Sequence, residues 1–255
     1  MSSTGRRLPG PPVRAVLFDY GMTLVTVSRP SESLQRAYES IAALLTDRLD
    51  RSVPAAAALL AAVHDRVDAA VAQHDASYAL EEIDLAPVYG EAYAALGLPL
   101  PVDLLDEAQR LEQRAWFDGM ALAESAVATL TELRGRGLRL GLCSNAPYHP
   151  ASMRAQLQHL GLLDHLDAAV FSSEIGWRKP SPRIFEHALG VLGGEPAATL
   201  MVGDRVREDI EGARAAGMRA VLLREHRRED DPRGLATMAI ERLDELLELV
   251  AAPPA

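Results

Sequence analysis

Lysine is nearly absent from this chain: of 26 cationic residues, only Lys179 is not an arginine. Many arginine codons are rich in G and C, so a general drift accounts for the arginines but not for the one position that resisted it. Lysine presents a compact ammonium that arginine's flat fork does not reproduce, which marks the surroundings of Lys179 as a place where that shape matters. Cysteine is equally scarce. Cys143 stands alone, which excludes an internal disulfide framework and a multi-thiolate zinc site, and it reads as a small apolar residue ending a strand. Long apolar runs are missing too: the longest are strand-sized or broken by Arg, Asp and Glu, so no membrane span and no membrane partner are expected. The net charge is −10, so binding along a nucleic acid would have to overcome repulsion from its phosphates. A small phosphorylated ligand gripped by a few local donors meets no such obstacle. The opening MSSTGRRLPGPP has a charged start without an apolar core, unlike a signal peptide; residues 1–12 are expected as a flexible tail and the protein as cytoplasmic.

What is present is an ordinary globular composition, 48% apolar and 24% charged over 255 residues, long enough for one large or two small domains. The densest apolar signal is VRAVLFDYGMTL at Val13–Leu24. Its Val, Leu and Phe without alternation fit a strand buried on both faces of a parallel sheet, and the run stops at Asp19 and a glycine turn. Residues 28–119 then show helical periodicity almost throughout, in SESLQRAYESIAALLTDRL, PAAAALLAAVHDRVDAAVAQH, LAPVYGEAYAAL and VDLLDEAQRLEQRAWF, a four-helix insert rich in Ala and Leu. From Leu122, helices alternate with short apolar strands. The order is a helix over 124–134, LRLGLCSN, a helix over 152–159, AAVFSSE, a helix from Ser181 and Pro182, TLMVGD, and a helix over 208–216. RAVLL then closes the sheet, and a last helix covers 235–250. Such alternation implies right-handed crossovers and an α/β fold: a doubly wound parallel, Rossmann-like core of residues 13–27 and 120–255, with an inserted α-helical cap at 28–119.

That fold lines up the polar residues. Asp19 follows the first strand, Ser144 and Asn145 the second, Glu174 the third, and Gly203 and Asp204 the fourth, all on the carboxyl rim where open α/β sheets bind ligands. Each has a plainer reading taken singly: Asp19 as a turn residue, Ser144 and Asn145 as a loop opener, Asp204 and Asp209 as turn and helix-start residues, Lys179 as an exposed loop lysine.

Together, DYGMT from Asp19, SN at Ser144, KPSP from Lys179 and GDRVRED from Gly203 occur in an order that resembles the haloacid dehalogenase superfamily of hydrolases, mostly phosphatases. The resemblance spans nearly the whole chain and puts the helical insert where that family carries its commonest cap, which closes over the rim and sets substrate choice. It implies Asp19 as the nucleophile that attacks phosphorus in line and forms an aspartyl-phosphate, with Thr23 in the same constellation. It implies Mg2+ held by Asp19, the backbone carbonyl of Gly21 and Asp204, with Asp209 in or just outside that shell. The Ser144 hydroxyl and the Asn145 amide would donate to a phosphoryl oxygen, and Lys179 would balance the charge of nucleophile and phosphate. Ser181 as N-cap and Pro182 as first helical residue turn a helix's positive end the same way. The implied substrate is a small phosphorylated metabolite.

Gly21 departs from the family pattern, in which a second aspartate at this position protonates the leaving group and later activates water. Acid–base help of that kind is commonly worth ~100 to 10,000-fold. Three outcomes stay open: a leaving group that departs unaided, as from an acyl or anomeric phosphate; a stand-in such as His149 or a cap residue; or a protein that binds a phosphorylated ligand without catalysis. Metal-free dehalogenation of a 2-haloacid is a further alternative, although those enzymes usually have tyrosine at that position and lack the pair supplied by Gly203 and Asp204. Phosphonate cleavage through a cap lysine is excluded, because residues 26–119 contain none. In the cap, Arg36, Arg48, Arg51, Arg66, Arg110 and Arg114 are candidates for gripping a second anionic group, against the plainer reading of solvated helix faces. Trp116 and Phe117 read as hinge packing, or as a wall against a substrate ring.

Overall fold

The structure is a computed structural model and describes residues 8–251; of the tail expected at residues 1–12, residues 1–7 lie outside it. It divides into two compact units, residues Met1–Val27, Ala121–Ala146 and Leu157–Ala255 in the first, Ser28–Met120 and Pro147–Gln156 in the second. Residues 147–156, read from the sequence with the core, thus group with the helical insert.

The first unit is built on β1 (Ala15–Phe18), buried along its whole length as its unbroken AVLF requires. It pairs in parallel with β4 (Arg139–Ser144) on one side and β6 (Thr199–Gly203) on the other. β5 (Ala168–Phe171) lies beyond β4, while β7 (Arg219–Leu223) and β8 (Met238–Ile240) lie beyond β6. The six-stranded sheet therefore runs β5-β4-β1-β6-β7-β8, a parallel, doubly wound arrangement. A separate two-stranded sheet joins β2 (Val25–Val27) and β3 (Met120–Leu122). The chain works outward from β1 to β5 and then restarts at β6 on the other side. At such a reversal the crossovers diverge and leave a crevice at the carboxyl ends. Asp19 and Asp204 directly follow the two strands that flank it.

One helix shows how the sequence covers this sheet. Ser181 caps Pro182–Leu192, its hydroxyl accepting from the Arg183 amide at 3.4 Å, and Ile184, Phe185, Ala188, Leu189 and Leu192 pack with Leu17, Met201, Ile210 and Leu222. Burying the Ile, Leu, Phe and Met side chains among these contributes about 1.5–3 kcal/mol each.

The last part of the chain differs from the sequence reading. RAVLL does not close the sheet, and the helix expected over 235–250 breaks into β8, a 3₁₀ turn at Leu243–Glu245 and a single helical turn at Leu246–Leu249. The reason is the open edge of β7, which would otherwise leave backbone groups unpaired. The Thr237 amide donates to Ala220 O at 2.8 Å and the Arg224 amide to Ile240 O at 2.9 Å, and the Glu245 carboxylate then takes the amides of Glu241 and Arg242 to begin the turn. AAVFSSE likewise stays extended only to Phe171; Ser172–Ile175 turns into a short helix closed by the Glu174 carboxylate, which accepts from the Phe171 amide at 3.1 Å. The expected helix over 208–216 begins as a wider π-helical turn, Val206–Glu211, before Gly212–Ala215.

The second unit contains Ser31–Leu49, Ala56–Leu59 running through a π turn at Leu60–His64 into Asp65–Ser77, Leu85–Ala95 and Val102–Ala115. Tyr38, Ile41, Leu45, Leu59, Val63, Tyr93 and Leu104 form its apolar core. Among them lies a polar knot. Glu112 Oε1 meets His64 Nδ1 at 2.5 Å and its Oε2 accepts from the Tyr38 hydroxyl at 2.7 Å, all three residues buried. Among the described residues no helix is long and apolar enough to cross a membrane.

Candidate active site

Asp19 is still fixed by the sheet: its amide donates to Val202 O at 2.9 Å, one step past β1. The chain then turns tightly, with the amides of Leu24 and Val25 both reaching Tyr20 O and Met22 at φ 60°. This turn brings the Thr23 hydroxyl to Asp204 Oδ1 at 3.4 Å. Gly21 sits in the same turn, outside the positive-φ region, and a Cβ there would meet only Val27 Cγ2 at 4.0 Å. Neither conformation nor crowding requires a glycine at this position.

Lys179 arrives from a loop that Asn145 clamps on both sides. The Lys179 amide donates to Asn145 Oδ1 at 2.7 Å and the Asn145 side-chain amide returns a bond to Lys179 O at 3.1 Å. The ammonium, with the residue only 2% exposed, then donates to Asp19 Oδ1 and to Asp209 Oδ1, each at 2.6 Å. Burial alone would strip this proton, but the charges of Asp19 and Asp209 outweigh it and hold the ammonium well above its ordinary range. Nearby Cys143 is pushed up to about 12 by burial, with Lys179 opposing, and so stays a thiol.

Asp209 uses its second oxygen on the Arg205 amide at 3.0 Å. It fits there because residue 203 has no side chain: a Cβ on Gly203 would fall inside the Asp209 carboxyl group. Asp204, also buried, accepts from Arg227 Nε at 2.6 Å through Oδ2. Burial, and then the charge of Asp19, push its carboxyl up to about 6; burial pushes Asp209 up to about 7 against the pull of Lys179. Asp19, Asp204 and Asp209 each offer an oxygen within 4.8 Å of the others. Three hard, buried oxygen donors, two of them with pKa values raised by burial first and by neighbouring carboxylates after it, form a donor set suited to a small divalent cation such as Mg2+.

The structure thus brings together Asp19, Thr23, Asn145, Lys179, Asp204 and Asp209. Ser144 is buried at the end of β4, in register with Phe171. Other candidates are occupied elsewhere. His149 Nδ1 accepts from the Ala151 amide, and its Nε2 stands 3.6 Å from Asp106 and 3.4 Å from Arg110, all within the helical unit. Arg36, Arg48, Arg66 and Arg110 pair with carboxylates of the same unit, Arg51 donates to Gly97 O, and Arg114 is exposed. Trp116 lies with its ring 6.1 Å from that of His64 and, like Phe117, is half-buried. Sequence reasoning missed Arg227, one arginine among many, and the clamp made by the Asn145 side chain.

Fold and rim define an α/β protein of the doubly wound class with an acidic crevice that holds one buried lysine. The haloacid dehalogenase-like hydrolase family matches residues 13–217, and the chain belongs to that family. It is 38% identical over 125 residues to the phosphoserine phosphatase of Thermus thermophilus, covering 49% of either chain. It is 36% identical over 140 residues to the phosphoglycolate phosphatase of Rhodospirillum rubrum, covering 52% of this chain and 57% of that one. The chain spans about half the length of the curated relatives it matches. Among solved structures, the 2-haloacid dehalogenase of Pseudomonas syringae superposes with a TM-score of 0.64 at 24% identity, covering 92% of this chain and 97% of that one. A phosphatase of the same superfamily from Thermococcus onnurineus gives 0.54 at 24% identity, covering 92% and 96%. At these identities the solved structures speak for the fold.

Proposed function

We propose that the protein hydrolyses a small phosphorylated metabolite through an aspartyl-phosphate on Asp19, with Mg2+ held by Asp19, Asp204 and the Gly21 carbonyl. The observation that carries this reading is the single ammonium of Lys179 donating to Asp19 and Asp209 at 2.6 Å each, beside a third buried carboxylate. The named phosphatases among its relatives point the same way.

Mg2+, when bound, supplies positive charge that lets an anionic nucleophile meet an anionic phosphate. The chain's own residues do the rest. Asp19 presents its carboxylate at a fixed strand end and attacks phosphorus, splitting one hard hydrolysis into two easier steps. Lys179 neutralises the nucleophile and then the charge that builds on the phosphoryl oxygens. Asp209 holds the ammonium in place, and Asn145 holds the backbone that carries it. The Ser144 hydroxyl and the Asn145 amide donate to the transferred group. Gly21 gives no proton, so substrates whose leaving group departs unaided are favoured.

The test is phosphate release across a metabolite panel with and without EDTA, alongside Asp19→Asn. Turnover lost in EDTA and in the variant is the expected result. Release that survives either treatment contradicts the mechanism; halide release from a 2-haloacid, or ligand binding with no turnover, would replace it.

A further inference from the structure

Resting on that metal reading, we propose that Arg227 is a built-in counter-cation that competes with the divalent metal for Asp204, so that metal binding must displace its guanidinium. Both oxygens of Asp204 are engaged: Oδ1 takes the Thr23 hydroxyl at 3.4 Å and Oδ2 takes Arg227 Nε at 2.6 Å. The crevice therefore holds three buried carboxylates against two cations, Lys179 shared by Asp19 and Asp209, Arg227 alone on Asp204.

The two cations differ in one decisive respect. The Lys179 side chain is 2% exposed and has nowhere to go, whereas that of Arg227 is 39% exposed and can withdraw into water. A second cation arriving on Asp204 repels both, and the one with a solvated alternative gives way. The position of Arg227 is also braced. Two residues before it, Glu225 accepts from the Leu243 amide at 2.8 Å; two residues after it, Glu229 accepts from the Val206 amide at 3.0 Å, immediately beyond the Asp204 turn. The loop is pinned at the site it serves, and Asp231 secures its far end through the amides of Leu235 and Ala236. Arginine is the fitting residue here, because it stays charged at every working pH and leaves a carboxylate paired whenever metal is absent.

The experiment measures Mn2+ binding by calorimetry to the full chain without substrate, for wild type, Arg227→Gln and Asp204→Asn, with circular dichroism as the check on folding. Arg227→Gln should bind about tenfold more tightly, the order expected for a pair between the exposed and buried limits. In 15N-arginine protein the Arg227 Nε–H resonance, assigned by its loss in the variant, should leave its ion-paired position as Mn2+'s diamagnetic counterpart Mg2+ is added. Unchanged or weaker binding by Arg227→Gln, or a resonance that stays at its ion-paired position at saturation, overturns the competition and leaves the metal reading standing. No binding by wild type and Arg227→Gln alike overturns both.

Discussion

Gly21 is the position where one side chain would change the chemistry most. A Cβ there has a single neighbour at 4.0 Å and the backbone lies outside the positive-φ region, so neither stands in the way of a side chain. Gly21→Asp should raise kcat/KM by roughly 100-fold or more for phenyl phosphates with poor leaving groups, and hardly at all for activated ones. The slope of log kcat/KM against leaving-group pKa measures this; an unchanged slope would show that the missing proton is not the limiting feature. Lys179 was legible in the sequence because composition singled it out. Asn145 was legible as a strand-end residue whose backbone amide would donate to a phosphoryl oxygen, but not for its side chain. What its side chain does depends on a backbone segment 34 residues away, and no local pattern reports such a pairing. Arg227 was hidden for the opposite reason, since a chain that uses arginine nearly everywhere gives no signal for the one that meets a buried carboxylate.

At the level of elements, the carboxyl ends of β1 and β6 do the positioning, and Gly203 is the residue on which they depend. Gly203→Ala forces the Asp209 carboxyl out of its place, and Lys179 loses one of its two anchors. We expect a loss of about 1–3 kcal/mol in stability from overpacking. Phosphate release should fall with it, and a second-site Asp209→Ser that frees the space should recover stability without recovering turnover. Urea denaturation beside the phosphate assay separates the two effects. The strands flanking the crevice could be read in advance because they are continuously apolar, the period expected of a sheet covered on both faces. β8 could not: MAI is three residues long in a stretch whose helical spacing is genuine, and only the open edge of β7 decides its state. In the helical unit, periodicity located the helices but not the Tyr38–Glu112–His64 knot, because a polar residue on an apolar stripe looks like an interruption until its partners are known. Glu112→Ala strands the Tyr38 hydroxyl and His64 Nδ1 in an apolar core and should cost about 3–5 kcal/mol. Glu112→Gln keeps an acceptor and should cost less; equal losses in chemical denaturation would mean the knot is packing alone.

For the whole molecule, the crowded carboxylates couple stability to pH and, on the proposed function, to metal. Asp204 and Asp209 have ordinary values near 3.8 and are raised to about 6 and about 7 in the fold, by burial before any other cause. The folded protein therefore holds protons that the unfolded chain has released. Their favourable contribution is complete below about pH 3.8 and is lost as pH rises through 6 to 7, so in EDTA this site should make the protein progressively less stable from pH 5 to pH 8. The divalent cation proposed for this site would reverse the sign, because it would bind the ionised carboxylates and only in the folded state. At 100 times its dissociation constant it adds about 2.7 kcal/mol. Melting curves at pH 5 and pH 8, each with EDTA and with Mg2+, should show a metal-induced rise in Tm at pH 8 that is much smaller at pH 5. Asp209→Asn, which fixes the neutral form at one of the two positions, should flatten the decline in EDTA. A Tm in EDTA that rises steadily from pH 5 to pH 8 in wild type, with no difference in the variant, would mean that Lys179 and Arg227 already neutralise the crevice in full, leaving no unmet charge for a metal to relieve.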